Sequence, residues 1–226
     1  MIGLVGLDRL PFDRLGIDTQ VFSGAHFDAP VHGMAFDIDA DATLRHSCDA
    51  LDGMASRVGA VDTIAFQPMG SARMVVGFAA LPGALGRSMD ARLGKHCGQR
   101  GLTGVVVGAG AAAACAIAAL VQHRFQRIII ASATPGLALR AAHRMGVDVE
   151  AKRLSGLNDI DIELLVQTTD ELPGLSPQAV VDPAGIWEGF TGPLVSAREI
   201  TARQRQDQIR VLTGKNIELD RILAVL

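Results

Sequence analysis

Lysine is scarce in this chain. Of 226 residues only Lys95, Lys152 and Lys215 are lysines, so no lysine before Lys95 is available as a general base. Cysteine is equally sparse. Cys48, Cys97 and Cys115 are odd in number and lack C-x-x-C spacing, which argues against a disulfide framework or structural zinc and for reduced thiols in the cytoplasm. No apolar run approaches the ~20 residues of a bilayer span, since the stretch from Val105 to Val121 is broken by glycines. The first residues lack the basic-then-apolar pattern of a secretory signal, so a cytoplasmic location is expected. A net charge of −3 gives no general reason to expect nucleic acid or an anionic membrane as partner, and a small-molecule ligand is the partner expected.

What is present is a globular composition, 49% hydrophobic and 20% charged, long enough for one large domain or two small ones. Two textures alternate along it. Up to about Phe78 the chain shows short β-like runs broken by Gly, Pro and Asp: Ile2–Val5, Thr19–Phe22, Ala35–Ile38, Val61–Phe66 and Met74–Phe78. A helix is expected from Cys48 to Arg57, capped by Asp49 or Asp52. Leu81, Leu85, Met89 and Leu93 share a helical face, and Pro82 suits the first turn, so a linker helix is expected to about Cys97. Beyond Gly104 the pattern is strand–helix–strand. Strands are expected at Val105–Val107, Ile128–Ala131, Val147–Val149, Leu164–Gln167 and Val180–Val181, with helices at Ala111–Gln122 and Leu137–Met145. The tail reads as helix from Ser196 to Leu212 and again from Glu218 to Leu226, broken at Gly214. Such alternation predicts an α/β protein of two lobes, with ligand in a cleft between them.

The segment Val105-Val106-Val107-Gly108-Ala109-Gly110-Ala111-Ala112-Ala113 carries the most chemistry. A valine run of a buried parallel strand enters a glycine turn and then an alanine helix. Gly108 permits the turn, Gly110 lets backbone approach a pyrophosphate, and Ala113 allows close helix–strand packing. The N–H groups opening the helix, at Ala111 and Ala112, are an anion site. This is the fingerprint of a Rossmann-type NAD(P)-binding domain with a parallel sheet, preceded here by a small N-terminal α/β lobe. The competing reading is an ordinary βα turn that binds nothing.

Several segments, in order, resemble the shikimate dehydrogenase family. Leu51 through Ile64 (LDGMASRVGAVDTI) resembles its passage ending G-A-V-N-T, and Val76-Gly77-Phe78 its V/I-G-Y segment. VVVGAGAAA is similar to its glycine fingerprint, IIIASATP to its strand end A-N-R-T-P, and Leu165-Val166-Gln167-Thr168-Thr169 to its I-N-A-T-P. Gln204 to Gly214 resembles its last helix. The resemblance runs from about Phe36 onward and is poor before it. It implies a shortened substrate lobe over 1–80, a linker helix over 81–100 and a dinucleotide-binding domain over 101–195. Helices over 196–226 would return towards the first lobe, and a homodimer stays open.

The family oxidises a ring hydroxyl, with hydride passing to a nicotinamide, and uses a Lys and an Asp of the front lobe on that hydroxyl. This chain departs from that pattern. Its segment MAFDIDADATL places Asp41 where the Lys should be and Ala35 where an Asn touches substrate. Leu81 takes the place of the Asp, and Asp62 that of the Asn in A-V-N-T. The substrate serines have no convincing equivalent; Ser23 reads as a turn residue. Gln204 keeps a substrate-facing position, with a solvated polar residue as the equal alternative, so the resemblance gives Asp62 and Gln204 as substrate-binding. Cofactor contacts fall on Gly108, Ala109, Gly110, Ala111, Ala112, Ser132, Ala133, Thr134 and Thr168. Ala133 stands at the family's Arg, so charge specifies neither NAD nor NADP; NADP follows from the resemblance alone, and Arg140 or Arg144 can approach from the next helix.

His26, His32 and His46, interleaved with Asp28, Asp37, Asp39 and Asp41, offer a substitute base or a metal site, though loop and surface histidines are the plainer reading and no metal is expected. Asp182-Pro183-Ala184-Gly185 is a ligand loop or an ordinary turn; Trp187 and Phe190 line a cleft or pack helices. Two functions stand side by side. One is a shikimate dehydrogenase-like, NAD(P)-dependent oxidoreductase acting on a hydroxy or oxo cyclic acid with altered substrate. The other is a non-catalytic dinucleotide- or metabolite-binding descendant, a pseudoenzyme.

Overall fold

Short apolar runs set off by glycine, proline and aspartate become strands throughout the computed structural model, which describes residues 1–38, 43–97, 101–171 and 173–226, the side chains of 95–97 excepted. The elements begin with β1 (Ile2–Val5), α1 (Leu10–Arg14), β2 (Thr19–Phe22), β3 (Gly33–Phe36), β4 (Ala50–Leu51), α2 (Gly53–Val58), β5 (Thr63–Met69) and β6 (Ala72–Phe78). After α3 (Leu81–Cys97) come β7 (Thr103–Val107), α4 (Ala111–Gln122), β8 (Arg127–Ala131), α5 (Gly136–Met145), β9 (Glu150–Lys152), β10 (Leu164–Gln167), β11 (Ala179–Asp182) and β12 (Leu194–Ser196). Helices α6 (Ala197–Thr213) and α7 (Leu219–Leu223) end the chain. Two units result, Met1–Leu81 with Ala202–Leu226, and Pro82–Thr201.

In the first unit the sheet order is β2-β1-β3-β5-β6-β4. β1 pairs in parallel with β2 and β3, whereas β5 runs antiparallel to both β3 and β6. Ile2 and Leu4 of β1, Phe12 of α1, and Ile209 and Leu212 of α6 form its core. The residues from Cys48 to Arg57 are not one helix. Asp49 Oδ2 accepts the Val75 N–H at 2.8 Å, which holds Ala50 and Leu51 against β6 as β4. Asp52 Oδ1 accepts the Ala55 N–H at 2.6 Å and caps α2, which therefore starts only at Gly53.

The second unit carries an all-parallel sheet in the order β12-β11-β10-β7-β8-β9. The chain winds outward from β7 to β9, returns to β10, and then winds the other way to β12. This strand order is that of a doubly wound dinucleotide-binding sheet, whose reversal lies between β7 and β10. All five residues of β7 are buried, as a strand covered on both faces requires. A side chain at Gly104 would bring Cβ within 2.9 Å of Leu120 Cδ1, so glycine lets the end of α4 lie on the strand. Val105, Ile129, Leu165 and Val180 contribute one face of this core.

The expected strand at Val147–Val149 is instead the exit of α5, because the Val147 N–H bonds back to the Ala142 carbonyl. The strand comes three residues later, at the sheet edge, where polar Glu150 and Lys152 hide it from a hydrophobicity reading. Neither α1 nor β12 was expected from the sequence pattern.

Candidate functional site

The turn after β7 sits at the reversal of the second sheet. Gly108 has φ of +127°, outside the range of L side chains, and a Cβ there would collide with Thr168 Oγ1 and lie 3.1 Å from Thr169 Cγ2. The Thr168 side chain is held in place by donating to the Val107 carbonyl at 2.7 Å, and its N–H donates to the same oxygen at 3.0 Å. Thus the carboxyl ends of β7 and β10 are stitched together over the glycine. The next residues lead into α4, whose N-cap is Gly110, a residue with no side chain to cap it. Gly110 is exposed and Ala109 half-buried, while Ala111 and Ala112 are buried. The Ala109 carbonyl accepts the Ala138 N–H of α5 at 3.2 Å, which fixes the loop between the two helices.

Beside this turn lies a cavity of about 500 Å³. Val107, Gly108 and Ala131 form one side, Ser132 and Ala133 enter from the end of β8, and Thr169 and Glu171 from the segment after β10. Of the residues expected to hold a dinucleotide, Gly108, Ser132 and Ala133 meet on this cavity. Thr168 braces it from behind, and Ala109, Gly110, Ala111, Ala112 and Thr134 are not among the residues that line it. Thr134 turns inward on its neighbour, its N–H donating to Ser132 Oγ at 3.2 Å. Arg140 and Arg144 lie on α5 and do not line the cavity either. A cation nonetheless reaches it, Arg153, with Leu154 and Ser155 beside it. These residues carry no signal in the sequence, because they follow a polar strand, β9, set three residues on from the expected Val147–Val149.

The loop after β11 is built as a closed turn. Asp182 is buried, its two oxygens accepting the N–H groups of Gly185 at 2.9 Å and Trp187 at 2.8 Å. The Trp187 indole N–H donates to Gln167 Oε1 at 3.3 Å and its ring meets Phe190 edge-on, centroids 5.5 Å apart. Gln167 in turn donates to the carbonyls of Thr169 and Glu171, at 2.7 and 3.0 Å. A fully buried glutamine therefore ties the segment after β10 to the aromatic loop.

In the first unit, Asp62 is fully buried and saturated. Its oxygens accept the Ala80 N–H at 2.8 Å and the Leu81 N–H at 2.9 Å, first-turn donors that no helical carbonyl can satisfy. Thr63 Oγ1 donates at 2.8 Å and Gln204 Nε2 at 2.9 Å. Burial pushes the Asp62 carboxyl above the usual range, against the pull of these hydrogen bonds. The two residues expected to contact substrate thus contact each other. Leu81 is buried and brings no acid–base group. One turn further along α6, Gln208 Nε2 donates to the carbonyls of Phe36 and Asp62, and Arg205 bridges Gln208 Oε1 at 2.6 Å to Asp37 at 3.0 Å.

Asp39 and Asp41 lie outside the described residues. His26, His32 and His46 are exposed, and among the described residues no three His, Cys, Asp or Glu side chains gather as a metal site would need. His26 stacks at a tilt on Phe22, centroids 5.3 Å apart, and His46 accepts from its neighbour Arg45 at 3.2 Å. Burial, with Asp49 beside it, pushes the half-buried Cys48 thiol up to about 11, so it carries no thiolate at neutral pH. Among the described residues no helix is long and apolar enough to cross a membrane.

No family model matches the chain, and no curated protein sequence is similar enough to match. Solved structures do match, over nearly the whole length. Quinate dehydrogenase from Corynebacterium glutamicum in complex with NAD is 18% identical, with a TM-score of 0.79 covering 99% of this chain and 97% of that one. Shikimate dehydrogenase from Aquifex aeolicus is 16% identical at 0.78, covering 99% and 96%. Shikimate 5-dehydrogenase from Thermus thermophilus in complex with NADP(H) and shikimate is 19% identical at 0.72, covering 99% and 97%. Over 99% of its length this chain has the fold of the shikimate and quinate dehydrogenases.

Proposed function

We propose that the chain is a divergent member of the shikimate dehydrogenase family, an NAD(P)-dependent oxidoreductase acting on a hydroxy or oxo cyclic acid with altered substrate. The observation that carries this reading is Gly108, held at positive φ under Thr168 at the sheet reversal and opening on a 500 Å³ cavity. Parallel sheets of this order bind nucleotides outside the carboxyl ends of the strands at such a reversal. The fold neighbours bound to NAD and NADP(H) support it. Backbone at the turn fits a diphosphate, Ser132 and Ser155 offer hydroxyls at the adenosine end, and the N-terminal end of the α4 dipole favours negative charge. A bound nicotinamide supplies the hydride exchange. The chain's part is to hold it and to exclude water.

A specific observation favours a second reading, a non-catalytic dinucleotide- or metabolite-binding descendant. Proton transfer from a substrate hydroxyl needs a base within hydrogen-bond reach. Leu81 supplies none, and Asp62 has its lone pairs filled and no exposed surface.

The two readings separate in one series. NADPH and NADH are titrated by nicotinamide fluorescence and thermal shift, where ligand at about 100 times its Kd adds about 2.7 kcal/mol. Shikimate, quinate and a panel of related hydroxy and oxo acids are then offered for turnover. Binding with turnover of any of them supports the oxidoreductase. Binding without turnover supports the descendant, and no binding of either nucleotide removes both.

A further inference from the structure

We propose that Arg153 reads the 2′-phosphate of NADP(H), so that the chain prefers the phosphorylated dinucleotide although the β8 strand end carries no arginine. The inference rests on the dinucleotide-binding reading above and adds its specificity.

Strand register places Arg153 beside the end of β8. β8 and β9 are parallel with Ala131 opposite Lys152, and the Ser132 N–H donates to the Lys152 carbonyl at 2.9 Å. Arg153 is therefore the next residue out, alongside Ser132 and Ala133 at the carboxyl end of β8. In sheets of this order the end of that strand is where the adenosine ribose is recognised, by a carboxylate for its free hydroxyls or by a cation for a 2′-phosphate. Ser132, Ala133 and Thr134 supply neither charge. The neighbouring strand supplies the cation.

The other charges at this edge are committed. Glu150 on β9 takes Arg127 in a two-point pair at 2.7 and 3.0 Å, with Lys152 at 3.5 Å from the same carboxylate. So the one acid on this strand is already paired, and so are two of the three cations. The Arg153 guanidinium has no ion pair among the described residues and lines the cavity from an exposed position. Ser155, two residues on, adds a hydroxyl to the cavity lining.

Glu171 is the other charged residue on the cavity. It follows β10, and β9 and β10 are three strand spacings apart, roughly 14 Å at ~4.8 Å each. Acid and base thus enter from opposite sides of the cavity. A guanidinium is suited to the task, since its planar fork binds phosphate oxygens in pairs.

The experiment uses 5′-ADP and 2′,5′-ADP as probes, titrated by calorimetry against the intact chain, with NADH and NADPH as the complete pair. The expected result is 2′,5′-ADP binding about ten- to a hundredfold more tightly than 5′-ADP, the range that one charge-assisted contact provides. Arg153→Gln removes that preference and leaves 5′-ADP affinity within about threefold, while Arg140→Gln leaves both unchanged. Equal affinity of the wild-type chain for the two probes overturns the role of Arg153 and leaves dinucleotide binding standing. A preference that survives in Arg153→Gln, or a variant that weakens both probes equally, overturns it too, by placing the phosphate or the arginine elsewhere. If no probe and neither dinucleotide binds, this inference and the reading beneath it fall together.

Discussion

Gln204 donates to Asp62 across 142 positions of sequence, Nε2 to Oδ2 at 2.9 Å, with both side chains buried. The same carboxylate takes the N–H groups of Ala80 and Leu81. A group that the resemblance would turn towards substrate is here a buried acceptor for backbone donors that would otherwise go unpaired.

The raised Asp62 value has a signed consequence. Asp62 ionises near 3.9 when unfolded and above that in the folded chain, so between the two values the native state binds more protons. Stability from this group is full below the unfolded value and is lost as pH rises through the folded one. Asp62→Asn, which can keep one oxygen on the backbone donors while Gln204 reverses its amide, lacks this term. Urea midpoints of the two chains should therefore drift apart in favour of Asn as pH rises from about 4. A gap that stays constant from pH 4 to 8 contradicts the assignment. Asp62→Ala, which strands two buried N–H groups, should cost roughly 2–4 kcal/mol near pH 4, and less as pH rises and the wild-type carboxyl loses its own stability.

Gly108→Ala tests the turn at the sheet reversal. The positive φ alone costs about 1–3 kcal/mol for an L residue, and the new Cβ also meets Thr168 Oγ1. Thermal and urea unfolding should show a loss of at least that size, with NADPH binding abolished. Adding Thr168→Ala relieves the collision but not the backbone strain, so recovery should be partial. Full recovery in the double variant would mean that φ costs nothing here.

Asp182 is expected to hold the aromatic loop, and the single tryptophan of the chain reports on it. Asp182→Ala leaves the Gly185 and Trp187 N–H groups without their acceptor and should cost about 1–3 kcal/mol. Trp187 emission should shift to longer wavelength as the indole loses Gln167 and meets water, and Asp182→Asn should shift it less. An unchanged spectrum in Asp182→Ala would show that Phe190 and the loop's own packing hold the ring unaided.

The sequence located elements whose signal is local. α3 and α4 have the expected bounds because apolar spacing and small residues speak for themselves, and β1, β2 and β10 do as well. Arg153 was invisible for a different reason. Its place on the cavity depends on which residue of β9 lies opposite Ala131, and register is a property of two strands, not of one segment. The edge strand is polar and short, so periodicity had nothing to register.

Asp62 and Gln204 show the same division. Their residue types were plain, as was the absence of a lysine before Lys95 and of an aspartate at Leu81. Whether a carboxylate faces water, substrate or backbone donors is set by which groups the folded chain brings within about 3 Å, and here those come from residues 63, 80, 81 and 204. By itself the sequence determined the α/β class and the glycine turn, because each rests on neighbouring residues, and the lack of any lysine before Lys95, which is composition alone. The tertiary structure alone decided the partner of Asp62 and the cation on the cavity, because hydrogen bonding and charge act through distances that only folding creates.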